Sequence, residues 1–288
     1  MSEIAPPPGD LWDQRVAAGL AFLRGRLTGD YEVDEFGFDP QLSDHVFQPM
    51  LRFLYHHWFR TEVRGVEHLP EKGAALVVAN HSGTIALDAL MLSVAINEAY
   101  PVGRNLRLLG ADLVFRTPIL SELARKSGAT VACHADAERL LETGRLVSVF
   151  PEGFKGVGKG YLQRYRLQRF GRGGFVSAAL RTGQPIVPVA IVGAEEAYPM
   201  LADIQPLARL LGLPYFPVTP TFPWLGPLGL LPLPSKWLIE FCPPIPTDEL
   251  AGHADDPMAV FDLADQVRET IQVAVRQLLT QRPDPFGG

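Results

Sequence analysis

Residues 74–88 read AALVVANHSGTIALD. Six apolar residues run into a polar turn, Asn80-His81-Ser82-Gly83-Thr84, and the text then turns helical through ALDALMLSVAINEA. A run that is apolar at every position predicts a strand buried on both faces, as in the interior of a parallel sheet. The same signature recurs on both sides of it. TEVRGV (61–66), LRLLG (106–110), GATVAC (128–133), LVSVFPEG (146–153), PIVPVAIVG (185–193) and WLIEFC (237–242) are strand candidates. Helical patterns at roughly 88–98, 112–127, 136–144 and 173–183 lie between them. The alternation predicts an α/β fold with a mixed, mostly parallel central sheet flanked by helices. Before it, LWDQRVAAGLAFLRGRL and Asp44 to Arg60 carry apolar residues at helical spacing, separated by the acidic linker GDYEVDEFGFDP. The expected division is an N-terminal helical layer over 1–60, an α/β domain over 61–245, and a final helix (about 257–281) with its tail over 246–288.

Composition narrows the function classes. Of the 288 residues, 47% are hydrophobic and 20% charged, which excludes a disordered or collagen-like chain. Two cysteines, Cys133 and Cys242, lie far apart, so neither a disulfide framework nor a CxxC zinc site is available. The opening MSEIAPPPGD has no basic and apolar regions of a secretory signal, and the expectation is a cytoplasmic protein. A net charge of −6 hides a basic block: Lys155, Lys159, Arg164, Arg166, Arg169 and Arg172, with no acid from 153 to 181. No nucleic-acid motif accompanies it, so phosphate on a small ligand or a lipid headgroup is the expected partner, and nucleic acid is not.

Chemistry is expected where strands end in turns. His81 follows a strand, and a carboxylate on its other nitrogen would fix the tautomer and stabilise the imidazolium. Asp88 supplies that carboxylate only if 82–86 fold back as a loop, because seven helical residues would rise about 10 Å. Ser82-Gly83-Thr84 permits such a loop. The competing reading makes His81 a packed polar residue and Asp88 a helix N-cap. Glu152, ending a strand, can hold a hydroxyl or orient a positive group, and Gly153 lets backbone approach a ligand. GFKGVGKG (153–160) nearly spells a nucleotide-binding loop, but Gly160 replaces the magnesium-binding hydroxyl. A metal site from His81, Asp88 and Glu152 has no supporting spacing, and none is expected.

Taken in order, NHSGTIALD, VFPEG and PIVPVAI resemble the phospholipid/glycerol acyltransferase (PlsC-like) family over about residues 61–195. The resemblance implies that His81 is a catalytic base with Asp88 its partner. It also implies that Glu152 and Gly153 belong to the acyl-acceptor site, and that the 185–191 strand lies near the acyl chain. Ser82, Gly83, Lys155 and Lys159 complete the expected substrate-binding set. The spacing here is His-x6-Asp where the family usually has His-x4-Asp, with Ala86 at the usual Asp position. Phe154 and Lys155 replace the family's Thr or Ser and Arg, and GATVACHA lacks a second family arginine. Both losses point away from a phosphorylated acceptor.

The implied reaction moves a fatty acyl group from acyl-CoA or acyl-carrier protein to a glycerolipid or lysolipid hydroxyl, with no cofactor, His81 taking the hydroxyl proton. The glycine-rich stretch after Glu152 is the expected oxyanion donor. A thioesterase or lysophospholipase using the same dyad on water, or an inactive lipid-binding protein, are the alternatives. Leu210 to Ser235 contains no charge and seven prolines, which disfavour a membrane-spanning helix. Proline at 214, 217, 220 and 223 predicts a polyproline II stretch. Its apolar edges would bring Phe216, Phe222 and Trp224 either onto the protein's own core or into the headgroups of the inner face of the cell membrane, as a peripheral or monotopic contact.

Overall fold

The apolar runs form strands β1 (Glu62–Arg64), β2 (Ala75–Ala79), β3 (Leu106–Gly110), β4 (Ala129–Val131), β5 (Leu146–Val149) and β6 (Ile186–Val192). The short β7 (Ala202–Asp203) and β8 (Pro217–Val218) follow, and then β9 (Leu238–Phe241). The computed structural model describes residues 8–100, 104–171, 173–282 and 284–287; Arg172 and the first seven residues, part of the basic block and of the N-terminal reading, lie outside them. Seven strands make one sheet in the order β1-β9-β6-β2-β5-β3-β4. β2 to β6 run parallel, while β9 pairs antiparallel to β6 and parallel to β1. The fold is the mixed, mostly parallel α/β sheet that the run pattern predicts.

Period-two alternation explains why β2 has no polar face. Ala75, Val77 and Ala79 pack with Val187, Val189 and Ile191 of β6 beneath the Leu87–Ala99 helix, along with Tyr55 and Phe59 from the N-terminal layer. Leu76 and Val78 face the other way, joining Ala190, Val192, Leu180 and the Val260, Leu263, Val267, Ile271 stripe of the Pro257–Gln281 helix. That stripe keeps three- and four-residue spacing, which buries one side of the helix against the sheet. Asp256 caps its start by accepting from Met258 N–H, with Pro257 in the first turn.

Three sequence expectations change. The single helix expected over 112–127 is two, Asp112–Arg116 and Leu120–Lys126, because Pro118 interrupts the ladder and Ile119 turns the chain with φ +68°. The acidic linker is packed on the sheet: the buried Arg107 of β3 bonds Asp34, and its guanidinium lies 5.3 and 5.0 Å from the rings of Phe36 and Phe38. The polyproline II stretch does not form. Pro217 and Val218 pair with Asp203 and Ala202, and Thr219 then closes a turn, its Oγ1 accepting from Phe222 N–H while its own N–H bonds Phe222 O. Two ladder residues and a capped turn satisfy backbone groups that polyproline II would leave to water.

Candidate active site

The loop leaving β2 is built by its own polar groups. Asn80 extends the β2–β6 ladder with its side chain, donating to Ile191 O at 2.9 Å and accepting from Ile191 N at 2.8 Å. The chain then reverses through Gly83 (φ +91°) and Thr84 (φ +60°). A Cβ at Gly83 would lie 2.6 Å from Ala194 O, so this position needs glycine for space as well as for φ. The reversal carries Asp88, in the first turn of the Leu87–Ala99 helix, back onto His81. His81 Nδ1 lies 2.8 Å from Asp88 Oδ2, which also accepts from Ser82 N–H at 2.9 Å, and Oδ1 accepts from Ala89 N–H at 2.9 Å. Ala86, not Asp88, holds the N-cap position. The Asp88 carboxylate is fully buried, and the His81 side chain, 15% exposed, packs at 4.6 Å against the Phe150 ring. With Nδ1–H committed to a carboxylate, Nε2 is left as the acceptor.

Glu152 supports the same turn from below. Its side chain is wholly buried: Oε1 accepts from His81 N–H at 2.8 Å and Oε2 from Gln168 N–H at 2.6 Å. Burial pushes its carboxyl above the ordinary range, with Lys159 and those two amides pulling the other way. Lys159 is also interior, its side chain 2% exposed. Its Nζ lies 3.8 Å from Glu152 and 3.5 Å from Glu195, and donates to Arg166 O at 3.2 Å. Glu195 is held above its normal range by the same burial. Beside it, Glu196 pairs with Arg282 at 2.8 Å and bonds the Tyr165 hydroxyl. This cluster was missed from the sequence; the signal that could have found it is the pair Glu195-Glu196, two positions past Gly193 at the end of the all-apolar β6, in a chain with an acid-free basic run.

Two of the glycines of 153–160, Gly156 and Gly158, serve packing. A Cβ at Gly156 would meet His81 O at 2.5 Å, and one at Gly158 would meet the Tyr215 ring at 2.7 Å. The N–H groups of Gly153, Gly156, Val157 and Gly158 all donate to nearby backbone carbonyls, so these amides do not present the oxyanion donors the sequence suggested. Lys155 is exposed on the Phe154–Val157 turn, while Ser82 is buried within the loop.

An apolar pocket of about 220 Å³ opens beside the reversal, lined by Thr84, Ile85, Phe154, Tyr198, Tyr215 and Phe222 among others. Thr84 fixes its floor: its N–H bonds Val157 O, its Oγ1 bonds Tyr198 O at 3.1 Å, and the Tyr215 hydroxyl bonds its carbonyl. Phe222 is half-buried and packs 5.5 Å from Phe216, whereas Trp224 is 73% exposed. In the same stretch of chain Leu210, Leu213, Leu225, Leu228 and Leu231 are also exposed, and Leu213 lines the pocket. No helix among the described residues is long and apolar enough to cross a membrane.

Comparison with known proteins places this geometry. Residues 60–192, holding the loop, Glu152 and β6, match the Acyltransferase family model. An uncharacterised protein of Mycobacterium tuberculosis is 61% identical over 98% of this chain and 78% of its own length. A Bos taurus protein described as a DGAT1/2-independent enzyme synthesizing storage lipids is 26% identical over 76% of this chain and 64% of its own. A chloroplastic 1-acyl-sn-glycerol-3-phosphate acyltransferase of Brassica napus is 24% identical over 49% and 40%. The crystal structure of PlsC from Thermotoga maritima, a 1-acyl-sn-glycerophosphate acyltransferase, has the same fold, with a TM-score of 0.57 over 93% of this chain and 91% of that one at 18% identity. The chain belongs to the PlsC-like phospholipid/glycerol acyltransferase family.

Proposed function

We propose that this acyltransferase moves a fatty acyl group from an acyl thioester, acyl-CoA or acyl-carrier protein, to the hydroxyl of a glycerolipid, with His81 and Asp88 as its catalytic dyad. The observation that carries the reading is the 2.8 Å contact of His81 Nδ1 with a buried carboxylate, beside an apolar pocket. Nε2 takes the proton of the acceptor hydroxyl as its oxygen attacks the thioester carbonyl. The C–S bond of the tetrahedral intermediate then breaks, and the thiolate leaves as thiol with the proton that His81 returns. Asp88 stays ionised and stabilises the imidazolium between the two steps. Glu152 acts as a positioning residue through the His81 amide, and the pocket takes the acyl chain. Lys155, exposed beside Phe154, is the cation best placed for substrate phosphate.

The acceptor is a lysolipid or a neutral glyceride. The bovine relative's storage-lipid description and the missing family arginines support the neutral glyceride. The reaction takes place at a membrane surface, reached through Trp224 and the exposed leucines of the same stretch of chain. Thiol release from acyl-CoA and from acyl-carrier protein, measured over lysolipids, glycerol phosphate and diacylglycerol, tests the proposal. Acceptor-dependent ester formation that His81→Ala abolishes is expected. Free fatty acid as the only product, whatever acceptor is added, would replace transfer by hydrolysis.

A further inference from the structure

We propose that Lys159 is a positioning residue of the transfer reaction: its buried ammonium keeps Glu152 ionised, and that carboxylate holds the His81 amide, and with it the imidazole, against Asp88. The proposal rests on the dyad reading and adds to it the charge that keeps the dyad turn in place. Glu152 commits both oxygens to amides, Oε1 to His81 N–H at 2.8 Å and Oε2 to Gln168 N–H at 2.6 Å. A carboxylate accepts at both oxygens, whereas a protonated carboxyl turns one of them into a donor. Any proton on Glu152 therefore weakens one of these two bonds. Glu195 differs: its Oε1 accepts from Tyr165 N–H at 3.2 Å, and its buried Oε2 has no partner among the described residues. Glu195 can take a proton without breaking a bond, and Glu152 cannot. Lys159 Nζ stands between them, 3.8 Å from Glu152 and 3.5 Å from Glu195.

The pair is closed off from solvent by the 165–168 segment. Arg166 O takes the Lys159 ammonium, and Gln272 of the Pro257–Gln281 helix holds Tyr165 O and Leu167 N–H, both at 2.9 Å. Burial pushes the Glu152 carboxyl up, and Lys159 opposes that more than either amide does. The other charged groups nearby are matched elsewhere. Glu196, on the turn after β6, pairs with Arg282 and takes the Tyr165 hydroxyl, while Asp88 accepts from His81, Ser82 and Ala89. That leaves Lys159 and His81 itself as the positive groups bearing on Glu152. A buried ion pair seldom outdoes apolar side chains of the same volume in stability. What an apolar side chain at 159 could not do is hold a carboxylate ionised against the His81 amide.

The sign of a pH dependence separates positioning from packing. In Lys159→Met the Glu152 carboxyl rises, so at low pH it is neutral and grips the His81 amide poorly; at higher pH it ionises and the grip returns. Stability runs the other way, since ionising an unpaired buried acid destabilises the fold. Two measurements are made on the full chain, over the pH range in which circular dichroism shows it folded. The first follows the His81 amide resonance in protein carrying isotope-labelled histidine, assigned by its loss in His81→Ala. Its titration midpoint should be higher in Lys159→Met than in the parent. The second is thiol release from palmitoyl-CoA with the acceptors named above, taken as the ratio of variant to parent kcat. That ratio should be down roughly ten- to a hundredfold at the acid end and recover as pH rises, with KM for the thioester unchanged. In a Glu152→Gln background, where position 152 cannot ionise, Lys159→Met should leave no such slope. The proposal is overturned by an unchanged midpoint, by a kcat ratio that falls with rising pH in step with stability, or by a slope that survives in Glu152→Gln. Failure of both Lys159→Met and Lys159→Gln to fold also overturns it, assigning the cation to stability alone. Transfer at the parental rate by His81→Ala would sink the dyad reading instead, and the amide titration does not depend on that reading.

Discussion

Changing Asp88 to Asn removes one charge and exchanges one acceptor for a donor, and neither amide orientation fits the site. Asp88 Oδ2 takes two donors, His81 Nδ1–H and Ser82 N–H, and Oδ1 takes a third from Ala89. If the amide oxygen replaces Oδ2, the new NH₂ faces the Ala89 N–H and the imidazolium formed during transfer loses its counter-charge. In the reverse orientation the NH₂ faces Ser82 N–H and donates to Nδ1, which drives the ring proton to Nε2 and removes the base. Leaving one buried donor unmatched costs about 1–3 kcal/mol. At about 2–4 °C per kcal/mol for a chain of this size, the melting temperature should fall by several degrees. The kinetic effect is larger, since a positioned general base contributes about 10²–10⁴ in rate. The assay is kcat for thiol release with a saturating acceptor, alongside a thermal melt. A folded Asp88→Asn protein with the parental kcat would refute the dyad, and loss of KM alone would move Asp88 to substrate binding.

Other expectations follow from the same interior. Lys159→Met strands Glu152 and Glu195 without a cation and should cost about 3–5 kcal/mol, with Glu195→Gln as a second change recovering part of it in urea unfolding. The pH sign is set by burial: both carboxyls are raised, so their contribution to stability is full below the unfolded value, about 4.3, and is lost as pH rises through the folded one. Without Lys159 the folded values rise further, and the deficit of Lys159→Met should widen with increasing pH. Gly156→Ala drives a Cβ to 2.5 Å from His81 O, so kcat should fall while donor binding by dialysis holds. Trp224→Ser with Leu228→Ser should release the protein from anionic vesicles yet spare turnover of a short soluble acceptor; unchanged partitioning would refute the membrane contact and leave these two side chains merely solvent-facing.

What could be read from the sequence depended on how local the cause was. The sheet was legible because β2, β5 and β6 are apolar at nearly every position, a pattern that burial on both faces demands. The loop was legible as a requirement, since His81 and Asp88 could meet only if Ser82-Gly83-Thr84 reversed the chain. The burial of Lys159 was not legible in a run of positive charges, because Glu195, one of the two acids that meet it, stands more than thirty positions away. Proline period at 214–223 was overruled for the same reason: β7 supplied a ladder partner from outside the segment.

The longer spacing between His81 and Asp88 gains a physical meaning from this loop. Thr84, a β-branched residue, stands at φ +60°, a conformation such side chains rarely keep without outside support. Three segments supply it: Val157 accepts its N–H, Tyr198 its hydroxyl, and Tyr215 donates to its carbonyl. Tyr198 and Tyr215 lie beyond the matched family segment, and both line the apolar pocket with Thr84 and Ile85. The residues that lengthen the motif therefore form the wall of the pocket and the frame of the dyad at once. A change that reshapes the pocket should be felt at the base: Tyr215→Phe leaves the ring but frees the Thr84 carbonyl, so kcat should fall with every acyl chain length rather than shift the length preferred. A shift in chain-length preference at constant kcat would show that wall and frame are independent.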